Sequence, residues 1–219
     1  MENQKVSRDV KDFFHHYAGG FDAIYGHTDK RNAFEKWIDK NFRKTMFLRF
    51  KEALQESSKP EIKTIIDIGC GPGRYVVDFL NQGKEVLGVD LAQGMLDIAG
   101  KLATESKNKN VQFLLGDYAE LSLSKKYDAA CLMGFFDYIE KPSIVIQKLK
   151  KDINKEFYAS FPQSGGFLAW QRSIRYKWKN CPLYLYSKED VEKLMKDNGI
   201  TNYVIKDFGR DYYVKAVLS

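Results

Sequence analysis

The run Asp67-Ile68-Gly69-Cys70-Gly71-Pro72-Gly73-Arg74 is the stretch best suited to hold a ligand. Glycines at alternate positions let a backbone turn sharply and approach a bound molecule, and a helix opening behind them favours negative charge. Asp90 stands 17 residues beyond Gly73, at the end of a second apolar run. A carboxylate placed there can accept two hydrogen bonds from the hydroxyls of a ribose. The three histidines, His15, His16 and His27, all fall near the N-terminus. A histidine can take a proton from a hydroxyl because its ordinary pKa lies close to working pH, although on a helix surface it does no chemistry. A third cluster occupies residues 163–186, where Phe167, Trp170, Ile174 and Trp178 share one helical face and Arg172, Arg175 and Lys179 another. Aromatics backed by cations suit a planar, anionic molecule, through stacking and carboxylate pairing. A plain capping helix with solvated basic residues has the same pattern.

Regular elements must position these groups. Residues 63–69 form a β-branched run ending in glycine, which suits a strand buried on both faces. Val76, Val77 and Leu80 mark a helix, Gly83 its stop, and residues 85–90 a second strand. A helix around 94–102, strands at 111–115 and 127–133, a helix opening near Pro142 and a strand at 156–161 continue the alternation. Strand and helix alternating at this spacing imply right-handed crossovers and a parallel sheet. Ser187-Lys188-Glu189-Asp190 reads as a helix start, with Asp in the third position a weaker reciprocal cap than Glu or Gln. Val191, Leu194 and Met195 then give a helical face, and Gly199 a stop. Residues 203–208 and 212–218 flank a Gly209-Arg210 turn too short for anything but an antiparallel hairpin. This predicts a reversed strand at the edge of the sheet.

Composition narrows the class. The 219 residues fit one α/β domain with appendages, and a chain of this size holds a core without disulfide or metal. The excess of 35 Lys+Arg over 29 Asp+Glu permits an anionic partner but is well short of the concentrated basic face that argues for nucleic acid. No apolar run approaches the ~18 residues of a membrane span. The polar N-terminus is unlike a signal peptide, and three widely spaced cysteines read as reduced thiols in the cytoplasm with no metal site.

Arg74 stands where the dinucleotide fingerprint G-x-G-x-x-G wants its third glycine, which argues against a nicotinamide-dependent dehydrogenase. The G-x-G-x-G spacing instead resembles motif I of the class I S-adenosylmethionine-dependent methyltransferases. Asp90-Leu91 with Met95, Gly116-Asp117-Tyr118, Met133-Gly134 and the terminal reversed hairpin fall in register with that family, over about residues 62–219. The resemblance implies an α/β, Rossmann-like, doubly wound seven-stranded sheet, S-adenosyl-L-methionine as cofactor with S-adenosyl-L-homocysteine as product, and no metal. It implies that Gly69, Gly71 and Gly73 line the methionine moiety, with Cys70 and Arg74 in the same loop and Asp67 anchoring it. Asp90 would hold the ribose, Leu91 and Met95 would flank adenine, and Asp117 would accept the adenine amino group. Tyr118 would pack at the adenine edge, and Met133 would complete the cofactor site.

The segment Phe14-His15-His16-Tyr17-Ala18-Gly19-Gly20-Phe21 continuing to Tyr25, together with Met133-Gly134-Phe135-Phe136-Asp137-Tyr138, looks most like the magnesium-protoporphyrin O-methyltransferases. A looser likeness links it to quinone-biosynthesis methyltransferases. Residues 1–60 are then expected as a helical lid, 61–219 as the cofactor-binding domain, and the insert 163–186 after the fifth strand as a substrate cap. The acceptor would be a small molecule, aromatic or anionic, methylated by in-line displacement. Tyr17, Tyr25, Phe135, Phe136, Tyr138, Arg172, Arg175 and Tyr176 are the candidates to contact it, and His15 and His16 the candidate bases. Two rival readings are an RNA methyltransferase and a non-catalytic module that only binds the cofactor. The first lacks the [ND]-P-P-[YF] tetrapeptide, since Met133-Gly134-Phe135-Phe136 stands in its place.

Overall fold

The computed structural model describes residues 33–166, 169, 171, 172 and 181–218. Its elements are α1 (Ala33–Ser57), β1 (Thr64–Ile68), α2 (Arg74–Asn81), β2 (Glu85–Asp90), α3 (Gln93–Ala103), β3 (Val111–Leu115), β4 (Tyr127–Leu132), α4 (Pro142–Asp152), β5 (Ile153–Pro162), α5 (Lys188–Asp197), β6 (Tyr203–Asp207) and β7 (Asp211–Val217). The strands form one seven-stranded sheet in the order β3-β2-β1-β4-β5-β7-β6. The first five are mutually parallel, and β7 runs antiparallel to both its neighbours.

Alternation along each strand sorts side chains onto two apolar layers. Ile66, Ile68, Leu132, Phe157 and Val214 face α4 and α5, which bury Val145, Ile146 and Leu149 and Val191, Leu194 and Met195 against them. Ile65, Cys131, Tyr158 and Tyr213 face the other way, toward α2 with its Val76, Phe79 and Leu80. Pro142 occupies the first turn of α4, where its missing N–H costs nothing. That helix runs straight into β5, which therefore begins at Ile153, three residues earlier than expected.

Two expectations change. The reversed strand is not the edge: β7 pairs with seven residues of β5, and β6 lies outside it. Burial explains the order, because β7 is mostly buried whereas β6 has Val204 52% exposed and suits a margin. The cap of α5 is also complete, with the Asp190 N–H donating to Ser187 Oγ (3.1 Å) and the Ser187 N–H to Asp190 Oδ2 (2.8 Å), so Asp suffices.

Helix α1, 25 residues long, carries no apolar stripe clear enough to locate it by periodicity. Its second half is part of the core layer: Ala53 is fully buried, Leu54 packs beside it, and the Thr45 hydroxyl donates to the Phe208 carbonyl at 2.9 Å. At least this half of the expected lid is fixed to the sheet.

Candidate functional site

The C-terminal ends of β1, β2 and β4 converge on the glycine run. The N–H groups of Gly69 and Cys70 both donate to the Val89 carbonyl, at 2.8 and 3.0 Å, which clips the start of the loop to β2. Asp90 finishes the clip: Gly71 N–H donates to Oδ2 and Ala92 N–H to Oδ1, each at 2.9 Å. Burial outweighs these bonds and raises the Asp90 carboxyl above the usual carboxylate range. Each oxygen keeps a second lone pair for a ligand hydroxyl.

The glycines differ in purpose. A Cβ on Gly73 would sit 2.7 Å from the Ala99 Cβ, so this residue exists to let α2 and α3 meet. A Cβ on Gly71 would meet nothing within 4 Å, and its φ of 52° favours glycine. The loop is therefore open at Gly71, where a ligand would approach the backbone. A Cβ on Gly69 would come within 3.1 Å of the Phe135 ring, which brings the turn after β4 against the loop.

Asp67 does not anchor the loop as expected. Its side chain points into the layer shared with Cys131, whose thiol is hydrogen-bonded to it, and Oδ2 is buried with no hydrogen-bond partner. Burial, with the nearby Asp90 charge, pushes its carboxyl up to about 8. A buried carboxyl with one unsatisfied oxygen at the end of β1 would be drawn to its ionised form by a ligand carrying positive charge. Together with the strand-end Asp90, it makes the residues present fit a cationic nucleoside cofactor.

Other candidates divide. Leu91 and Asp117 are half-buried near their strand ends, and Asp117 Oδ1 accepts from the Ala119 N–H at 3.0 Å. Met133, Phe135 and Tyr138 are half-buried along the turn after β4. Cys70 is buried in the core, and the exposed Arg74 lies 4.8 Å over the Phe50 ring of α1. Met95 is 1% exposed and leaves no face for adenine. Tyr118 corrects its expected role in the same way: it is 2% exposed, its hydroxyl donates to Asp152 (3.0 Å), and Lys148 covers its ring. Phe136 is fully buried and stacked on Phe161 at 4.4 Å, so it is core and not an acceptor contact.

Arg172 changes most. Expected to pair with an anionic acceptor, it is buried and holds two carboxylates of the chain itself, Asp137 Oδ2 through Nη2 and Asp211 Oδ1 through Nη1 (3.1 Å). Asp211 Oδ2 takes Arg49 of α1 at 2.8 Å. Arg49 Nη1 also donates to Ser160 Oγ at 3.1 Å, and that hydroxyl oxygen accepts the Gly134 N–H at 2.7 Å. Burial is the largest influence and opposes the Arg49 charge, but Asp211, Tyr75 and Asp137 together more than offset it and raise its pKa. Burial raises Asp137 against the pull of Arg172. The spacing of Arg49, Asp137, Ser160 and Asp211 gives no hint of this chain of contacts. The tether spans separations of 26 to 162 residues, and only the position of Asp137 after the fourth strand was a signal.

His15, His16, His27, Tyr17, Tyr25, Phe167, Trp170, Ile174, Arg175, Tyr176, Trp178 and Lys179 lie outside the described residues. Among the described residues, no group of three His, Cys, Asp or Glu side chains could hold a metal ion, and no helix is long and apolar enough to cross a membrane.

Comparison with known proteins agrees with this geometry. Residues 65–154 match the methyltransferase domain family. The chain is 26% identical over 160 residues to a magnesium-protoporphyrin O-methyltransferase of Rhodobacter capsulatus, covering 70% of each. It is 26% identical over 146 residues to a ubiquinone biosynthesis O-methyltransferase of Hydrogenovibrio crunogenus, covering 66% of this chain and 56% of that protein's length. In fold it is similar to the crystal structure of magnesium protoporphyrin IX methyltransferase from Synechocystis PCC 6803 with bound SAH, at a TM-score of 0.73 and 23% identity, over 98% of this chain and 100% of that one.

Proposed function

We propose that this chain, whose residues 65–154 belong to the methyltransferase domain family, transfers a methyl group from S-adenosyl-L-methionine to an oxygen of a small-molecule acceptor. The observation that carries this reading is the glycine turn, open at Gly71 and bonded through its N–H to the strand-end Asp90. The naming of the matched relatives as O-methyltransferases favours oxygen as the receiving atom.

S-adenosyl-L-methionine supplies a methyl on a sulfonium centre, already activated for displacement. The protein's task is alignment and exclusion of water. Asp90 accepts the ribose hydroxyls through its remaining lone pairs, and Gly71 lets the backbone close on the methionine portion. Leu91 borders the adenine, and Asp117 receives its amino group. Asp67 holds its proton in the free chain, and a cationic ligand brought close would favour its ionised form over the neutral one. Met133 and Phe135 separate the cofactor side from the acceptor side, and Tyr138 with Tyr17, Tyr25, Arg175 and Tyr176 is assigned to the acceptor. A hydroxyl acceptor would give its proton to His15 or His16. Three buried cysteine thiols suit a reducing, cytoplasmic setting.

Melting temperature with and without S-adenosylhomocysteine, using NAD as control, tests the reading. A ligand at about 100 times Kd adds about 2.7 kcal/mol, or roughly 5 to 11 °C here. A shift with S-adenosylhomocysteine alone is expected; a shift with NAD alone overturns the assignment.

A further inference from the structure

Both arms of the buried charge chain end on one short segment. From Asp211 Oδ2 the first arm runs through Arg49 and Ser160 to the Gly134 N–H. From Oδ1 the second runs through Arg172 to Asp137. Gly134 and Asp137 bracket the turn that follows β4, and between them Phe135 lies against the glycine loop at Gly69. One carboxylate, at the first residue of β7, thus reaches both ends of the turn that separates the glycine loop from the insert. Ser160 is fully buried, and Arg172, Asp137 and Asp211 are nearly so, so the tether is shielded from solvent. Charged hydrogen bonds in such surroundings hold geometry strongly, and the two Nη groups of Arg172, each on a different carboxylate, fix direction as well as distance.

We propose that Asp211 is a positioning residue for methyl transfer: it sets the conformation of the turn 134–138, and through it the placement of the acceptor against the methyl donor, without touching the cofactor. This rests on the methyltransferase reading above. The tether assigns separate duties to its arms. Arg49 ties the Gly134 end to α1, and Arg172 ties the Asp137 end to the insert. Tyr184 extends the second arm, because its N–H donates to the Asp137 carbonyl at 2.9 Å.

Two amides report on the arms by hydrogen exchange in NMR: Gly134, bonded to Ser160, and Tyr184, bonded to Asp137. In Asp211→Asn both should exchange roughly tenfold faster or more, while the β5–β7 ladder amides keep their protection. Arg49→Met should accelerate Gly134 alone, and Arg172→Met Tyr184 alone; these variants carry the test should Asp211→Asn not fold. Affinity for S-adenosylhomocysteine, by calorimetry, should stay within about threefold of the parent in Asp211→Asn, as expected for a group outside the cofactor site. Unchanged exchange at both amides in a folded variant overturns the proposal, as does acceleration shared equally by the β5–β7 ladder. A large loss of S-adenosylhomocysteine affinity would overturn its restriction to the acceptor side. A parent chain that does not bind S-adenosylhomocysteine overturns the methyltransferase reading instead, and the exchange rates still decide whether the tether exists.

Discussion

The two halves of the sheet's C-terminal edge are built by different means. Over β1 and β2 the ligand loop is held by backbone: two N–H groups on one carbonyl, and one Asp90 carboxylate bonding backbone amides 19 residues before and two after it. Over β4, β5 and β7 the edge is held by side chains from α1, the insert, the turn after β4 and two strands, joined at separations of up to 162 residues. The first half depends on local backbone geometry and tolerates change elsewhere. The second depends on a fully assembled fold, and the loss of any one partner leaves buried charge uncompensated.

The contrast can be broken most forcefully at Arg172. Arg172→Met leaves Asp137 and Asp211 short of a cation in a buried setting, where such losses cost about 3 to 5 kcal/mol. Chemical denaturation should show that loss, while affinity for S-adenosylhomocysteine stays nearly constant. Asp90→Ala should do the reverse. Removing a carboxylate that bonds Gly71 and Ala92, and that we assign to the ribose, should weaken S-adenosylhomocysteine by about 30- to 100-fold in calorimetry, with a smaller change in stability.

A pH titration sharpens the comparison further. Asp67, with its carboxyl raised to about 8, keeps its proton in the folded chain where the unfolded chain has lost it. Its contribution to stability is complete below the ordinary carboxylate value and is lost as pH rises from about 4 through about 8. The slope from this one group is at most about 1.4 kcal/mol per pH unit. Denaturant midpoints at pH 5 to 9 should fall with that sign in the parent, and Asp67→Asn should flatten the decline. The smallest effect belongs to neither half. Ser187→Ala removes the cap of α5 and should lower stability by about 1 kcal/mol, or roughly 2 to 4 °C in melting temperature.

This division also explains what could be read from residue order. The glycine loop, Asp90 and the parallel strands were legible because each is declared within a few residues: β-branched runs, positive-φ glycines, an acid at a strand end. Tyr118 and Phe136 misled because an aromatic next to a motif has the same local pattern whether it faces a ligand or the core. Only the contacts with Asp152 and Phe161 decide, and both lie 25 or more residues away. Arg172 misled for a related reason, since a basic residue beside aromatics carries no sign of two acids elsewhere in the chain that neutralise it. Helix α1 lacked an apolar stripe because it meets the sheet partly through Thr45, Arg49 and Glu56, as much by polar contacts as by burial.

The place of β7 bears on how the chain is made. It is the last of the seven strands to emerge during synthesis, yet it lies between β5 and β6, which precede it. Until it arrives, the seven residues Glu156–Pro162 of β5 present an unpaired and largely apolar margin, and β6 has no seat in the sheet. A nascent chain in that state is open to strand pairing with its neighbours, the hazard that slow, non-local β-assembly carries. Docking of the β6–β7 hairpin as a unit closes that margin and delivers Asp211 in the same step, so protection from aggregation and completion of the buried charge tether are a single folding event.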